Sequence, residues 1–317
     1  MKKALLYSAS VLLLASVACN KTDSVIGDGD ASILFAPATE NTRALVYASN
    51  LNAETFRVYD FKDGEKYIDN QIKYGTTGWV YVDEQDYLWK ADEHKLFGYS
   101  TALGALPENK KITLAKVLTT SAANQADLLY SETVNVSADT WKHTTGNTKD
   151  TPVTLNMKHL FAAVSMAVKN GKTDAIVLNT CTVPQINNSS TATIDYSGTA
   201  VAVSNTAPTA GDTPFVAGAT VADVNLTPNA LLDILTQAVA APTAYVVWPQ
   251  TIPAMTIAVT YTMNDRVYET TATIPSVKWE AGKLYQYTLV IGNADDILLN
   301  FTVKNWEEGA TENYEFE

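Results

Sequence analysis

The sequence predicts an all-β protein built from two consecutive β-sandwich domains. Short β-branched or aromatic runs recur along the chain between turn residues, without the regular helices of a βαβ pattern. Removal of an N-terminal export signal would leave roughly 300 residues, which is enough for two domains of ordinary size. The chain has only two cysteines, so we expect its core, and not a disulfide framework, to hold the fold together.

The N-terminus has the pattern of a bacterial lipoprotein signal. Two lysines precede an apolar run at 4–18, which is shorter than the roughly 20 residues that a helix needs to cross a bilayer. Small residues stand directly before Cys19, and the polar segment NKTDS follows it. We therefore expect residues 1–18 to be removed and Cys19 to become an acylated N-terminus that holds the precursor on a membrane. The alternative is an ordinary signal peptide in which the cysteine is incidental.

The first group of strands follows a polar tether. A short strand is predicted at ASILFA, residues 31–36, and we expect Pro37 to end it. Further strands are predicted at FRVYDF, WVYVD, LWKADEHKLFGYS, ITLAKVL and DLLYSETV. The turn-rich stretch WKHTTGNTKDTP, at 141–152, predicts a boundary between a domain of residues 44–150 and a domain of residues 151–317.

The second group contains the clearest period of two. In MTIAVTYT, the apolar residues from Ile257 to Tyr261 alternate with smaller ones, so one face of the strand turns inward. Other strands are predicted at VTLNMKHLFAAVSMAVKN, AIVLNTCTV, ATIDYSG, YVVWPQ, VYETTATI and KLYQYTLVI. One amphipathic helix is predicted at LTPNALLDILTQAV, with Thr227 as N-cap and Pro228 in the first turn. Three leucines share one face of this helix: Leu231, Leu232 and Leu235.

Charge and motifs argue against several functions. A net charge of −12 argues against binding to nucleic acid or to an anionic lipid surface. The three histidines stand far apart and outside any metal-binding spacing. The sequence has no nucleophile elbow, phosphate-binding loop or dinucleotide fingerprint. We therefore predict no catalytic residues, no metal and no cofactor.

The remaining motifs occur in a recognisable order. TRA at 42–44 follows the first strand, and KHLFAAVSMAV, WEAGKLYQYTLVI and a final V-x-x-W, formed by Val303 and Trp306, come later. With its motifs in this order, nearly the whole chain resembles the fimbrillin family, the type V pilins of Bacteroidales. The resemblance implies two transthyretin-like sandwiches in tandem. It also implies a non-enzymatic role as a shaft or tip subunit that mediates adhesion.

The resemblance further implies processing of the precursor. In the family, a lipoprotein is exported to the outer membrane, and an arginine-specific protease cuts behind its first strand. A strand of another subunit then fills the open groove, and repetition builds the extracellular fimbrium. Arg43 stands at the matching position, so Ala44 would be the new N-terminus and residues 19–43 the removed piece. The removable strand would contribute Ile33, Leu34 and Phe35.

The donor strand is predicted within the C-terminal segment 296–317, whose partners would be copies of this chain or other fimbrial subunits. The tail 307–317 is favoured, because residues 297–304 also fit the last strand of the C-terminal domain. The alternating apolar residues are Leu299, Phe301 and Val303 in the first part and Tyr314 and Phe316 in the tail.

Two other functions stay open from the sequence. One is a surface lipoprotein that does not polymerise and binds glycans through exposed aromatic residues such as Trp79 and Trp89. The weaker one is a glycosidase that uses two of the many carboxylates.

Overall fold

The computed structural model describes residues 31–38, 51–120, 125–144, 147, 151–183, 185–210, 223–236, 238–292, 297–305 and 312–316. These residues are almost entirely β, which confirms the predicted fold class. The first strands are β1 (Phe35–Ala38), β2 (Thr55–Lys62), β3 (Glu65–Tyr74), β4 (Trp79–Tyr81), β5 (Glu93–Ser100), β6 (Lys111–Val117), β7 (Leu129–Ser131), β8 (Val134–Ser137), β9 (Val153–His159), β10 (Ala162–Asn170), β11 (Ile176–Thr182) and β12 (Ser189–Asp195). The later strands are β13 (Ala202–Asn205), β14 (Val224–Leu226), β15 (Leu231–Asp233), β16 (Tyr245–Val247), β17 (Gln250–Ile252), β18 (Met255–Met263), β19 (Arg266–Ile274), β20 (Val277–Trp279), β21 (Lys283–Ile291), β22 (Ile297–Asn305) and β23 (Glu312–Phe316).

Helical structure is sparse in the described ranges. One α-helix, α1 (Ala138–His143), begins after Ser137, whose side chain accepts a hydrogen bond from the Thr140 N–H. Two 3₁₀ turns span Leu51–Ala53 and Thr101–Leu103. No described helix has the length and apolar character that a membrane span requires.

The strands form five sheets. The largest has the order β1-β9-β7-β5-β2-β3-β4, with β8 also paired to β5. A six-stranded sheet has the order β15-β10-β21-β22-β23, with β16 also paired to β10, and a four-stranded sheet has the order β14-β11-β18-β19. The two smaller sheets are β13-β12-β6 and β17-β20.

Strand pairing crosses the predicted domain boundary. Strand β9, which follows that boundary in sequence, pairs with β7 and β1 in the largest sheet. Strand β6, which precedes it, pairs with β12. The division into residues 44–150 and 151–317 therefore stays a prediction. Each of the two proposed parts contributes a strand that pairs with strands of the other part.

Two hydrophobic cores meet at the largest sheet. One face of β2 and β5 contributes Phe56 and Leu96 to the smaller core, which also contains Val136 and Ala138 from the segment before β9. The opposite face contributes Tyr59 and Phe97 to the larger core, which continues into the later sheets. Because side chains alternate across a strand, the same two strands serve both cores.

The predicted helix at 226–239 is wrong. Leu231–Asp233 forms β15, which pairs antiparallel with β10, and Leu232, Asp233 and Ile234 are all buried. Asn229 has a positive φ of 65°, which interrupts a right-handed helix. The edge of β10 supplies backbone partners here, so tertiary pairing overrides the helical pattern of the leucines.

Replacement of Gly98 by alanine should destabilise the chain. A Cβ at this position in β5 would lie 2.9 Å from Leu155 Cδ1 and 3.1 Å from the Arg57 carbonyl oxygen. We expect a loss of about 1–3 kcal/mol in the free energy of unfolding, measured by urea denaturation. The control is Gly78→Ala, since a Cβ there would meet no atom within 4 Å. Equal denaturation midpoints for the two variants would contradict the close packing of β5 on β9.

Candidate functional site

The first described segment, residues 31–38, closes the largest sheet at one edge. Its second half, β1, runs parallel to β9, with Phe35 opposite Val153 and Pro37 opposite Leu155. Strand β1 also lies against β4, at the other end of the same sheet. The segment therefore stands between the two ends of a sheet that curls toward closure.

The first half of the segment pairs with a different part of the chain. The Trp89 N–H donates to the Ala31 carbonyl at 2.9 Å, and the Ile33 N–H donates to the Tyr87 carbonyl at 2.6 Å. The Val153 N–H then donates to the Leu34 carbonyl at 2.7 Å, which starts the ladder with β9. The first half of this eight-residue segment therefore pairs with residues 87–89 and its second half pairs with β9.

Alternate side chains of the segment enter the smaller core. Ile33 and Phe35 are 0% and 2% exposed, Ala31 is also buried, and Leu34 is half-buried. Burial of a large apolar side chain contributes about 1.5–3 kcal/mol, so Ile33 and Phe35 together contribute roughly 3–6 kcal/mol. The period of two that the sequence shows for ASILF therefore has one buried face.

Tyr81 holds the segment from the side of β4. Its hydroxyl donates to the Ile33 carbonyl at 2.7 Å, and its ring lies edge-on to Phe35 with the centroids 6.2 Å apart. Burial raises the pKa of the Tyr81 hydroxyl, so it stays protonated and able to donate at any physiological pH. Tyr81 is the described side chain that hydrogen-bonds the backbone of Ile33.

Loss of the Tyr81 hydroxyl should loosen this segment. In Tyr81→Phe, the buried Ile33 carbonyl loses its donor, and we expect the free energy of unfolding to fall by about 1 kcal/mol. Urea denaturation measures the change, and Tyr74→Phe is the matched control because the Tyr74 side chain is 40% exposed. A Tyr81→Phe variant as stable as Tyr74→Phe would show that the hydroxyl does not hold the segment.

Pro37 does not end the strand, contrary to the expectation from the sequence. Strand β1 continues through Pro37 to Ala38. The Leu34 carbonyl faces β9, so by alternation Ala36 turns its N–H toward β9 and Pro37 turns its nitrogen away. A proline is tolerated at such a position because no ladder hydrogen bond is lost.

Comparison with known proteins identifies the family. Residues 37–306 match the sequence profile described as fimbrillin-like. The chain belongs to the fimbrillin-like family. No curated protein matches it at a significant level. A solved fimbrial protein from Bacteroides vulgatus is similar in fold, with a TM-score of 0.51 and 13% identity over 87% of this chain and 99% of that one. A fimbrial assembly protein from Parabacteroides distasonis aligns at a TM-score of 0.42 and 12% identity, over 89% and 98%.

Membership in the fimbrillin-like family confirms the resemblance drawn from the motifs. It implies a fimbrial or adhesive role at the cell surface and assembly with other fimbrial subunits. Such a structural family also favours a non-enzymatic role.

The predicted site residues of this fimbrillin-like chain fall into two sets. Ile33, Leu34 and Phe35 lie together in the segment that closes the largest sheet. Cys19, Arg43 and Ala44 lie outside the described residues, so lipidation and cleavage stay predictions.

The predicted donor residues lie in two neighbouring strands. Strand β22 pairs with β21 on one side and β23 on the other, and Leu299 is 5% exposed while Val303 is half-buried. Strand β23 is the edge of its sheet, with Tyr314 opposite Phe301 and Phe316 opposite Leu299. The donor role stays a prediction, and the edge position suits the tail better than β22.

The aromatic residues suggested for glycan binding differ in exposure. Trp89 is 2% exposed, and its ring stacks on Trp141 at a centroid distance of 5.7 Å. The expectation that Trp89 presents a free aromatic face is therefore wrong, because the ring belongs to the smaller core. Trp79 is half-buried and packs against Phe56 and Tyr74.

Two of the three histidines pair with buried aspartates. His94 Nδ1 lies 2.5 Å from Asp60 Oδ2, and His159 Nδ1 lies 2.7 Å from Asp127 Oδ2. Burial raises the pKa of both carboxyl groups. The His94 ring lies edge-on to Trp89, whose backbone holds Ala31, so this pair supports the wall behind the first segment. Neither pair has a spacing that the sequence could reveal.

Proposed function

We propose that this chain is a shaft or tip subunit of a type V fimbria, and that residues 31–38 form a removable strand. The precursor is exported with a lipid on Cys19 and held on the outer membrane. An arginine-specific protease cuts after Arg43, and Ala44 becomes the new N-terminus. A strand of another subunit then occupies the vacated groove.

The observation that carries this proposal is the position of the segment. It is an edge strand, it packs two large side chains into the core, and all its partners are other parts of the chain. In sequence, residues 39–50 connect it to the remainder of the chain, and Arg43 stands within that connection. A single cut there would convert the strand into a separate peptide held by noncovalent contacts alone.

Departure of the segment would leave a groove that needs a strand. The inner edge of β9, the backbone of residues 87–89 and the Tyr81 hydroxyl would all lose partners. Such unpaired groups beside apolar pockets are a template for strand addition. A neighbour's strand would restore the hydrogen bonds and the roughly 3–6 kcal/mol of apolar burial.

The other two arginines are poor sites for a protease. Arg57 lies in β2 between β3 and β5, and it is paired with Asp69 at 3.1 Å. Arg266 follows the tight turn at Asn264 and Asp265, both with positive φ, at the start of β19. A protease requires extended and accessible backbone, so both of these positions are disfavoured.

The donor in this proposal is the tail that contains β23. Strand β22 is enclosed by β21 and β23, so its release would open the larger core. Release of β23 would break the pairing with β22 alone. The tail of one subunit would then leave its own sheet and enter the groove of the next.

Controlled cleavage tests this function. Treatment of the purified precursor with an arginine-specific endopeptidase should yield a stable product that begins at Ala44 and assembles into filaments visible by electron microscopy. The Arg43→Ala variant should stay intact and monomeric under the same treatment. A product that begins at Ala44 but stays monomeric would refute polymerisation, and cleavage elsewhere would refute the assigned site.

A further inference from the structure

A cleft with polar and apolar walls in about equal parts lies far along the chain from the first strand, among β13, β17, β20 and the loops beside them. Its volume is about 590 Å³, within the range of about 300–1,000 Å³ that is usual for small-ligand sites. We call it the amide cleft. Its walls and rim include Asn187, Asn205, Pro208, Pro249, Gln250 and Thr251.

Three side-chain amides of the cleft are held in fixed orientations. Gln250 Nε2 donates to the Asn187 carbonyl at 2.9 Å, and Asn187 Nδ2 donates to the Pro208 carbonyl at 3.1 Å. Asn205 Nδ2 donates to the Pro249 carbonyl at 3.1 Å. In each case the nitrogen must face the backbone carbonyl, so the side-chain oxygen is left as an acceptor. No described residue donates to these three oxygens, and fixed groups lose little entropy when they bind a ligand.

The lining of the cleft contains one ammonium group, from Lys278, and one carboxylate, from Glu280. Glu280 pairs with Lys283 at 2.8 Å and with Lys278 at 3.4 Å. The hydrogen bond from Lys283 holds the pKa of Glu280 below its usual value, so the carboxylate stays ionised. Because the Glu280 carboxylate already has cationic partners, a charged ligand is not needed to neutralise it.

Apolar ligands do not suit the cleft. Its one aromatic lining residue, Trp279, is 0% exposed, and the indole N–H is already bonded to the Tyr287 hydroxyl at 2.9 Å. The apolar surface that remains comes from small groups, mainly Pro208, Pro249 and Ala207. A ligand that combines many hydrogen-bonding groups with small apolar faces, and carries no charge, fits these walls best.

A second cavity adjoins the cleft at one shared residue, which favours an elongated ligand. It has a volume of about 420 Å³ and shares Ala207 with the amide cleft. Residues with hydroxyl groups line it, namely Ser189, Thr191, Thr206 and Thr209. Lys116 also lines it, and its ammonium group lies 5.7 Å from the centroid of the Phe161 ring. The two adjoining cavities, with amides on one side of Ala207 and hydroxyls on the other, are together called the trough.

We propose that this trough binds a neutral oligosaccharide of several units. A sugar chain has the dense donors and acceptors, the lack of charge and the length that the two cavities accept. Asn205 and Gln250 would bind its hydroxyl groups through their free oxygens and remaining N–H groups. This site is independent of strand exchange, and it would supply an adhesive function whether or not the chain polymerises.

Titration followed by NMR tests the site on the full chain. The probes are cellotriose, maltotriose, xylotriose, mannotriose and chitotriose, together with a neutral Gly-Ser-Thr hexapeptide. At least one trisaccharide should shift the side-chain amide signals of Asn205 and Gln250 in a saturable way, while the signal of exposed Asn300 stays still. Failure of all five sugars at concentrations up to about 10 mM would overturn the proposal, as would binding of the hexapeptide alone.

Variants then locate the bound sugar. Asn205→Ala and Gln250→Ala should each weaken binding about ten-fold, the effect of one lost hydrogen bond, whereas Asn300→Ala should not change it. Equal affinity in all three variants would overturn the assignment to this cleft. If a variant does not fold, the shifts of the Asn205 and Gln250 signals in the unaltered chain still test whether the sugar binds at this cleft. Filament formation after cleavage at Arg43 is scored separately, so failure of either proposal leaves the other intact.

Discussion

The Phe35→Asp variant should have the same melting temperature as a chain that begins at Ala44. Phe35 is 2% exposed in the smaller core, so an aspartate there would lose about 1.5–3 kcal/mol of apolar burial and also place a charge without a partner. If the segment is removable, the cheaper outcome is that it leaves its groove while the remaining chain stays folded. Calorimetry of the two proteins should therefore give the same melting temperature, well below that of the parent. Ile33→Asp should behave in the same way, because Ile33 is 0% exposed.

The matched control for this experiment is Leu34→Asp. Leu34 lies between the two buried residues but its side chain points to the other face and is half-buried. It should lose much less stability than Phe35→Asp. A Phe35→Asp variant that melts like the parent would show that the strand is not part of the core. A chain from Ala44 that does not fold would show that the strand is a permanent element and cannot be exchanged.

The buried face of the first strand follows from a local pattern in the sequence, whereas its partners do not. Alternation in ASILF is a local pattern, so Ile33 and Phe35 could be assigned to one side from the sequence alone. The pairing with β9 and with residues 87–89 depends on contacts between distant parts of the chain, which no local period encodes. The role of Tyr81 was missed for the same reason. Its place in WVYV shows only that it alternates with two valines, and the structure shows that it bonds Ile33.

The failed helix shows the opposite error. The leucines at 231–235 fit a helical face, and a proline and a threonine stand where a helix could start. The chain nevertheless forms β15, because the edge of β10 offers hydrogen bonds and Asp233 accepts from the N–H groups of Leu235 and Thr243. When a local pattern fits both a helix and a strand, the neighbouring strand edge determines which of the two forms.

Tyr196→Ala should cost about 3–5 kcal/mol, because this side chain joins the largest sheet to the end of β12. Its ring stacks on Phe97 with a centroid distance of 3.9 Å, and its hydroxyl donates to the Ser131 carbonyl at 3.3 Å. Burial raises the pKa of this hydroxyl, so it stays a donor. Lys95 adds to the junction by donating to the carbonyls of Tyr196 and Gly198. Loss of the ring would leave a cavity in the larger core, against the face of β5 that carries Phe97.

Tyr196→Phe is the control for the ring, because it removes only the hydroxyl and should cost about 1 kcal/mol. The shared strands lead to a second expectation. Both cores should unfold in a single calorimetric transition. If β2 and β5 leave one core, the apolar side chains of the other core are exposed as well, because both cores use these strands. Tyr196→Ala should shift that whole transition to lower temperature. Two separate transitions, with only that of the larger core shifted by Tyr196→Ala, would mean that the two cores fold independently.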